Sequence, residues 1–199
     1  MKKIAIALMC MIMATGAAMA QKTFTFGPKV GVDYTHYWGK DAEHGGQFNY
    51  QAGLFFEYRM ANKFAIAPEL VFAAQGGKFD TNILGVTYKE TDHVNYINVP
   101  VMLKYYVIPE LSIDFGPQVG FNIYSKNTRE LKAGSESFKE TFDMKDNTKT
   151  VDFGLGLGLT YNIAKDVFVQ GRYTMGMTDV FEHSNGKNGN AQIAIGYRF

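Results

Sequence analysis

Four histidines, His36, His44, His93 and His183, lie near the carboxylates of Asp41, Glu43, Asp92 and Glu182. Imidazole with carboxylate is the ligand set of a zinc site and the base and orienting group of a hydrolase. Their spacing supports neither reading: no pair stands at the short fixed interval that brings two ligands to one metal. The nearest hydroxyl partners are Ser184 beside His183 and Ser125 with His93, and neighbours along an extended chain point apart. Gly154-x-Gly156-x-Gly158 has the glycine density of a phosphate loop, but it alternates within a strand-like segment and opens no helix, so the dinucleotide reading fails. A stronger constellation is a set of ten charges, Lys29, Arg59, Lys104, Arg172 and Arg198 against Asp33, Glu57, Glu69, Asp114 and Asp152, five of each sign. Paired and hydrogen-bonded, such groups make a polar plug; hydrated, the same groups line an ion path. The balanced signs and the bulk of Phe55, Tyr106 and Phe168 favour the plug. In that plug Lys29, Glu69 and Arg172 are expected near mid-height, with Lys104 beside Asp114 across a tight hairpin.

The elements that must carry these charges announce themselves by period-two alternation. From Phe24 to Tyr34 the even positions are apolar while the odd ones read Thr25, Gly27, Lys29, Gly31 and Asp33. The pattern recurs over Tyr50 to Arg59, Phe64 to Gln75, Tyr96 to Tyr106, Leu111 to Tyr124, Val151 to Ile163, Val167 to Met177 and Ala191 to Phe199, and no apolar-face position in the eight segments holds a charge. A sandwich would alternate too. The opposite face decides between them, because it gathers Gly27, Gly31, Gly53, Gly116, Gly120, Gly154, Gly156, Gly158, Gly176 and Gly196. Small residues crowd the concave lining of a narrow closed barrel, where side chains converge. Connectors alternate as well: 36–49, 76–95, 125–150 and 178–190 are long, while those at Ala61-Asn62, Ile108-Pro109 and Ala164-Lys165 are tight. The expected fold is all-β, an eight-stranded antiparallel up-and-down transmembrane β-barrel with four long outer loops and three tight periplasmic turns. Aromatics at the ends of the apolar rows, Phe24, Phe26, Tyr58, Phe64, Tyr105 and Tyr161 near the turns and Tyr34, Tyr50 and Phe72 near the loops, form the two interfacial girdles. Pro28, Pro68, Pro100 and Pro117 fall inside these strands, where local bulges are expected to absorb the missing N–H groups.

The 199-residue chain carries a net charge of +1, which excludes binding of nucleic acid by charge, and a mean hydropathy of −0.15. No stretch beyond the start approaches the ~18 apolar residues of a membrane helix. Met1 to Ala20 reads as a secretory signal: basic Lys2-Lys3, the apolar run Ile4 to Met13, and small residues up to Ala20. Cys10 leaves with it, and Met9 before it is too bulky for a lipoprotein site, so disulfide and metal-thiolate chemistry go too. The domains expected are residues 1–20 as signal peptide and 21–199 as barrel, with no cofactor.

The chain resembles the small outer-membrane β-barrel family of Gram-negative bacteria, the porin-family proteins related in architecture to OmpX, the OmpA transmembrane domain and PorT-like proteins. Phe26-Gly27-Pro28-Lys29-Val30-Gly31, Ala67-Pro68-Glu69-Leu70-Val71-Phe72 with Gln75-Gly76-Gly77, Tyr96-Ile97-Asn98-Val99-Pro100 with Leu103-Lys104-Tyr105-Tyr106, Phe115-Gly116-Pro117 and Tyr197-Arg198-Phe199 carry the resemblance. It implies residence in the outer membrane among lipid and lipopolysaccharide, and reading of Ile195, Tyr197 and Phe199 by the outer-membrane assembly machinery. The family is defined by architecture, so activity is left open. The charge-dense segment 125–150, with alternating Phe138, Phe142 and Met144, suggests strands projecting beyond the membrane with an edge for a protein partner. A non-enzymatic role in envelope structure or surface interaction is expected; a narrow solute pore, an accessory barrel of a secretion machinery and a barrel enzyme acting on lipid are the alternatives.

Overall fold

A computed structural model describes residues 24–39, 45–83, 86–133, 136–182 and 185–199. The signal peptide assigned to residues 1–20, His44 and the His183-Ser184 pair lie outside them. The strands are β1 (Phe24–Gly39), β2 (Gln47–Ala61), β3 (Phe64–Gln75), β4 (Lys78–Ile83), β5 (Val86–Ile108), β6 (Leu111–Ala133), β7 (Glu136–Asp143), β8 (Val151–Asn162), β9 (Val167–Asp179) and β10 (Gly186–Tyr197). Eight of them close an antiparallel ring in the order β1, β2, β3, β5, β6, β8, β9, β10, with β10 returning to β1 in the register Lys29↔Gly196 to Gly39↔Gly186. Closure leaves no free edge within the ring, so backbone groups at membrane depth find partners inside the sheet.

The alternation sets which face turns out. On β8 Leu157 is 58 % exposed and on β10 Ile193 is 62 % exposed, whereas Thr160 is 2 % and Asp114 0 % exposed. A continuous apolar outer surface around a polar interior is the inverse of a water-soluble domain and suits a hydrocarbon solvent. At the turn end of the ring Phe26 packs against Phe199 at 5.6 Å between ring centres and Phe64 against Tyr105 at 5.2 Å; at the loop end Tyr34 meets Phe48 at 5.2 Å and Tyr50 meets Phe72 at 6.1 Å. No helix among the described residues is long and apolar enough to cross a membrane.

Segments 76–95 and 125–150 depart from the expectation of loops. β5 and β6 run on for 23 residues each, and β4 and β7 pair to their outer portions, giving a four-stranded sheet β4-β5-β6-β7. A membrane strand needs about 9–11 residues, so roughly half of β5 and β6 stands beyond the bilayer. The register steps between Asn95↔Tyr124 and Tyr96↔Asn122, leaving Ile123 as the extra residue. Below that bulge the even residues of β6 face inwards; above it Ser125 and Asn127 do.

The prolines are not accommodated by bulges. The β2–β3 ladder passes from Phe55↔Glu69 to Tyr58↔Ile66, skipping Ala67 and Pro68; β3–β5 passes from Pro68↔Val101 to Val71↔Asn98, skipping Val99 and Pro100; β5–β6 passes from Pro100↔Gln118 to Leu103↔Phe115, skipping Gly116 and Pro117. The β1–β10 ladder stops at Lys29↔Gly196, just above Gly27 and Pro28, although Phe199 N still donates to Phe26 O at 2.8 Å. Across the three interior gaps the register is unchanged, and all four prolines keep their pairing with the following strand. A missing donor opens one ladder locally while the two flanking strands hold it in line. A Cβ on Gly27 would collide with the Tyr197 carbonyl, and one on Gly116 with the Val101 carbonyl, so glycine is required where these carbonyls lean in.

Candidate functional site

The interior is a braced polar core. Lys29 of β1 donates to Glu69 Oε2 of β3 at 2.6 Å and to Gln170 Oε1 of β9 at 3.0 Å. Arg172 of β9 grips the same carboxylate bidentately, Nη1 to Oε2 at 2.9 Å and Nη2 to Oε1 at 2.7 Å. Charge-assisted, two-pronged bonds of this kind are short and directional, and they tie β1, β3 and β9 across the lumen. Gly156 makes the room: a Cβ there would lie 3.2 Å from Met102 Cε and 3.5 Å from Arg172 Cδ. Gln170 carries the network on. Its Nε2 reaches Asp114 Oδ2 at 3.4 Å, and Asp114 also accepts from Lys104 at 2.8 Å, Ser112 at 2.6 Å and Thr160 at 2.5 Å.

A second group lies at the turn end. Glu57 accepts the Tyr106 hydroxyl and stands 3.7 Å from both Arg59 and Arg198. Arg198 reaches Asn162 Oδ1 at 2.5 Å and covers the Phe168 ring, while Arg59 lies 3.8 Å over the Tyr106 ring. Asp33 and Asp152 are placed differently. Both sit towards the loop end, and among the described residues neither has a cationic partner; Asp152 accepts instead from Thr178 and from Asn188, the latter at 2.9 Å. Five charges of each sign therefore do not cancel pair by pair. Of these ten charges, all five cations lie at mid-height or at the turn end and Asp33 and Asp152 towards the loop end, where Lys145 reaches in to Asn122 at 2.9 Å.

The neutral partners Gln170, Thr160 and Ser112 were missed by a reading that followed charge alone, although each is polar at an inward position of its strand, and Tyr106, expected in the lumen for its bulk, also donates its hydroxyl to Glu57. Ile195 and Tyr197 occupy the outward row of β10, and Phe199 follows the strand end with its ring 5.1 Å from that of Tyr197. The proposed Ser125 and His93 pair is not formed: Ser125 is buried on the inner face and bonds Thr148 at 2.6 Å, while His93 is exposed on the outer face. Among the described residues no three His, Cys, Asp or Glu side chains come together as metal ligands.

The projecting sheet has its own organisation. On its inner face Glu90 accepts from Tyr88 at 2.8 Å, Asn127 at 2.7 Å and Arg129 at 3.2 Å. Partial burial pushes the Glu90 carboxyl up, but these three donors and the Arg129 charge outweigh it, so its pKa lies below the ordinary value. Arg129 covers the Phe142 ring at 5.3 Å. Phe138 of β7 is 65 % exposed, and among the described residues β7 pairs only with β6, which leaves its other edge open to them.

A family model described as the outer membrane protein beta-barrel domain matches residues 19–182. Among solved structures, Ail, the attachment invasion locus protein of Yersinia pestis, is similar at 13 % identity with a TM-score of 0.50, covering 90 % of this chain and 100 % of that one. Its complex with the heparin analogue sucrose octasulfate is similar at 14 % identity with a TM-score of 0.51, covering 89 % and 99 %. Neisserial surface protein A is similar at 11 % identity with a TM-score of 0.45, covering 88 % and 97 %. No curated protein sequence matches the chain. A closed eight-stranded ring with an apolar exterior and a braced polar lumen, matched over most of its length by that model, belongs to the outer-membrane β-barrel domain family of Gram-negative bacteria and resides in the outer membrane.

Proposed function

We propose that this protein, after loss of residues 1–20, serves as a closed, non-enzymatic barrel that acts at the cell surface through its projecting sheet. The observation that carries the reading is the open β7 edge, held beyond the bilayer beside the exposed Phe138 and Leu131. An unpaired strand edge offers a row of backbone donors and acceptors to an extended segment of another protein, and alternate side chains give selectivity. The outer face of the same sheet, with Lys89, Lys126, Lys132 and Lys139, turns towards lipopolysaccharide and its anionic groups. Ail, a barrel of the same fold, has been crystallised with a sulfated heparin analogue. The Lys29, Glu69 and Arg172 brace speaks for a lumen that passes no solute.

Two measurements test this. A photo-reactive residue placed at Phe138 on intact cells should give a discrete protein adduct, and the same group at the lipid-facing Leu157 should not. In planar bilayers the purified protein should show no steady conductance. A steady channel whose selectivity follows the charge at position 69 would move the function to solute passage.

A further inference from the structure

The turn end of the barrel, which faces the periplasm, holds a cavity of about 750 Å³ lined by Thr25, Glu57, Arg59, Asn162, Lys165 and Arg198 among others. That volume is within the ~300–1,000 Å³ of small-ligand pockets. We propose that this vestibule binds a phosphate group, free or at the head of a lipid of the inner leaflet.

Three cations line the cavity against one carboxylate. Glu57 is already engaged by the Tyr106 hydroxyl, and neither guanidinium comes closer to it than 3.7 Å, too far for a hydrogen bond. Contact with a ring face, Tyr106 at 3.8 Å for Arg59 and Phe168 at 4.7 Å for Arg198, positions each guanidinium. It leaves Arg59 without a hydrogen bond among the described residues and Arg198 with one bond, to Asn162. A guanidinium whose N–H groups are left free in this way offers the fork of donors that matches the oxygens of a phosphate. The lumen field acts in the same direction, since the five cations of that set of ten gather at mid-height and at this mouth while Asp33 and Asp152 lie towards the other end. An anion entering here meets positive potential in a walled space, where water screens it less than on an open surface. The room beyond a single phosphate suits an attached alcohol such as a lipid headgroup carries.

The proposal stands apart from the surface role and is tested without it. The folded protein in phosphate-free detergent is titrated calorimetrically with inorganic phosphate and, separately, with a short-chain phosphatidylglycerol. Arg59→Gln and Lys165→Gln are compared with wild type and with Lys132→Gln on the projecting sheet. Saturable binding of either probe, weakened at least about tenfold in Arg59→Gln as expected for a lost charge-assisted bond, weakened also in Lys165→Gln and unchanged in Lys132→Gln, supports the site. Binding of inorganic phosphate identifies the free ion as sufficient, and binding of the lipid alone identifies the headgroup. Lys165 makes no hydrogen bond among the described residues, so that variant keeps the fold, which heat-modifiable gel migration verifies. Absence of saturable binding by both probes, or binding that Arg59→Gln and Lys165→Gln leave unaltered, overturns the proposal.

Discussion

Glu69, its side chain 3 % exposed, receives two bonds from Arg172 and one from Lys29, so its single negative charge holds two cations in place. Removing one member of a buried ion cluster strands the others, at a cost of roughly 3–5 kcal/mol. Glu69→Gln is therefore expected to lower barrel stability by about that amount, read as a shift in the denaturant midpoint in detergent or bilayers. A loss below about 1 kcal/mol would be the behaviour of a solvated pair and would count against the closed lumen. The glycines opposite belong to the same arrangement: Gly156 and Gly158 of β8 leave the width into which Arg172 and Met102 extend.

At the scale of elements, β5 and β6 do two jobs along one length. Their inner portions belong to the ring, and beyond the Ile123 bulge they become the middle of a sheet in water, stabilised by cross-strand pairs rather than by lipid. Glu90 joins two of those contacts, to Asn127 and Arg129, accepts also from Tyr88 of its own strand, and its carboxyl titrates below the ordinary value of about 4.3. A depressed folded-state pKa contributes stability above the unfolded value and loses it as the pH falls through the folded one. Acidification below about pH 4 should thus loosen the projecting sheet before the ring. Hydrogen exchange at the amides of Asn127 and Arg129 would report it, and Glu90→Gln should flatten the pH response. Equal acid sensitivity in Glu90→Gln would show that other carboxylates govern the sheet. The four prolines belong to this scale too, because each interrupts the ladder on one side of its strand while keeping its own pairing on the other.

For the whole molecule, the ring closes where the two ends of the chain meet. Phe199 contributes twice: its N–H donates to Phe26 O below the Pro28 gap, and its ring extends the aromatic row of Tyr197 and Phe26. Phe199→Ser keeps the backbone bond and removes the ring. Refolding into detergent should therefore survive, while assembly in cells, followed by heat-modifiable migration of membrane fractions, should fall severalfold. Unimpaired assembly would reduce Ile195, Tyr197 and Phe199 to an ordinary strand end. The charge distribution is also a property of the whole. Acids without cationic partners lie towards the outside and guanidiniums face the periplasm, an axial asymmetry that no single strand displays.

Period-two alternation with a charge-free apolar row was sufficient for the eight strands and their facing, because facing in a strand is a local property of the pleat, and the glycine-rich opposite face pointed to a closed barrel. The chain order of long and tight connectors added the closure. Lys29, Glu69 and Arg172 were legible as inward charges at similar height for the same reason. What no local pattern contains is distance across the lumen. That Glu69 takes both cations, that Gln170 links this cluster to Asp114, and that Asp33 and Asp152 have no cation opposite them depend on strand tilt and on which side chains meet after closure. The alternation of Phe138, Phe142 and Met144 pointed to projecting strands where β7 lies, whereas the β4 pairing was hidden, since a polar strand in water lacks an apolar row to reveal it. The prolines were visible in the sequence, yet only the assembled ladders show that an interruption of the ladder on one side of the strand, rather than a bulge, accommodates each one.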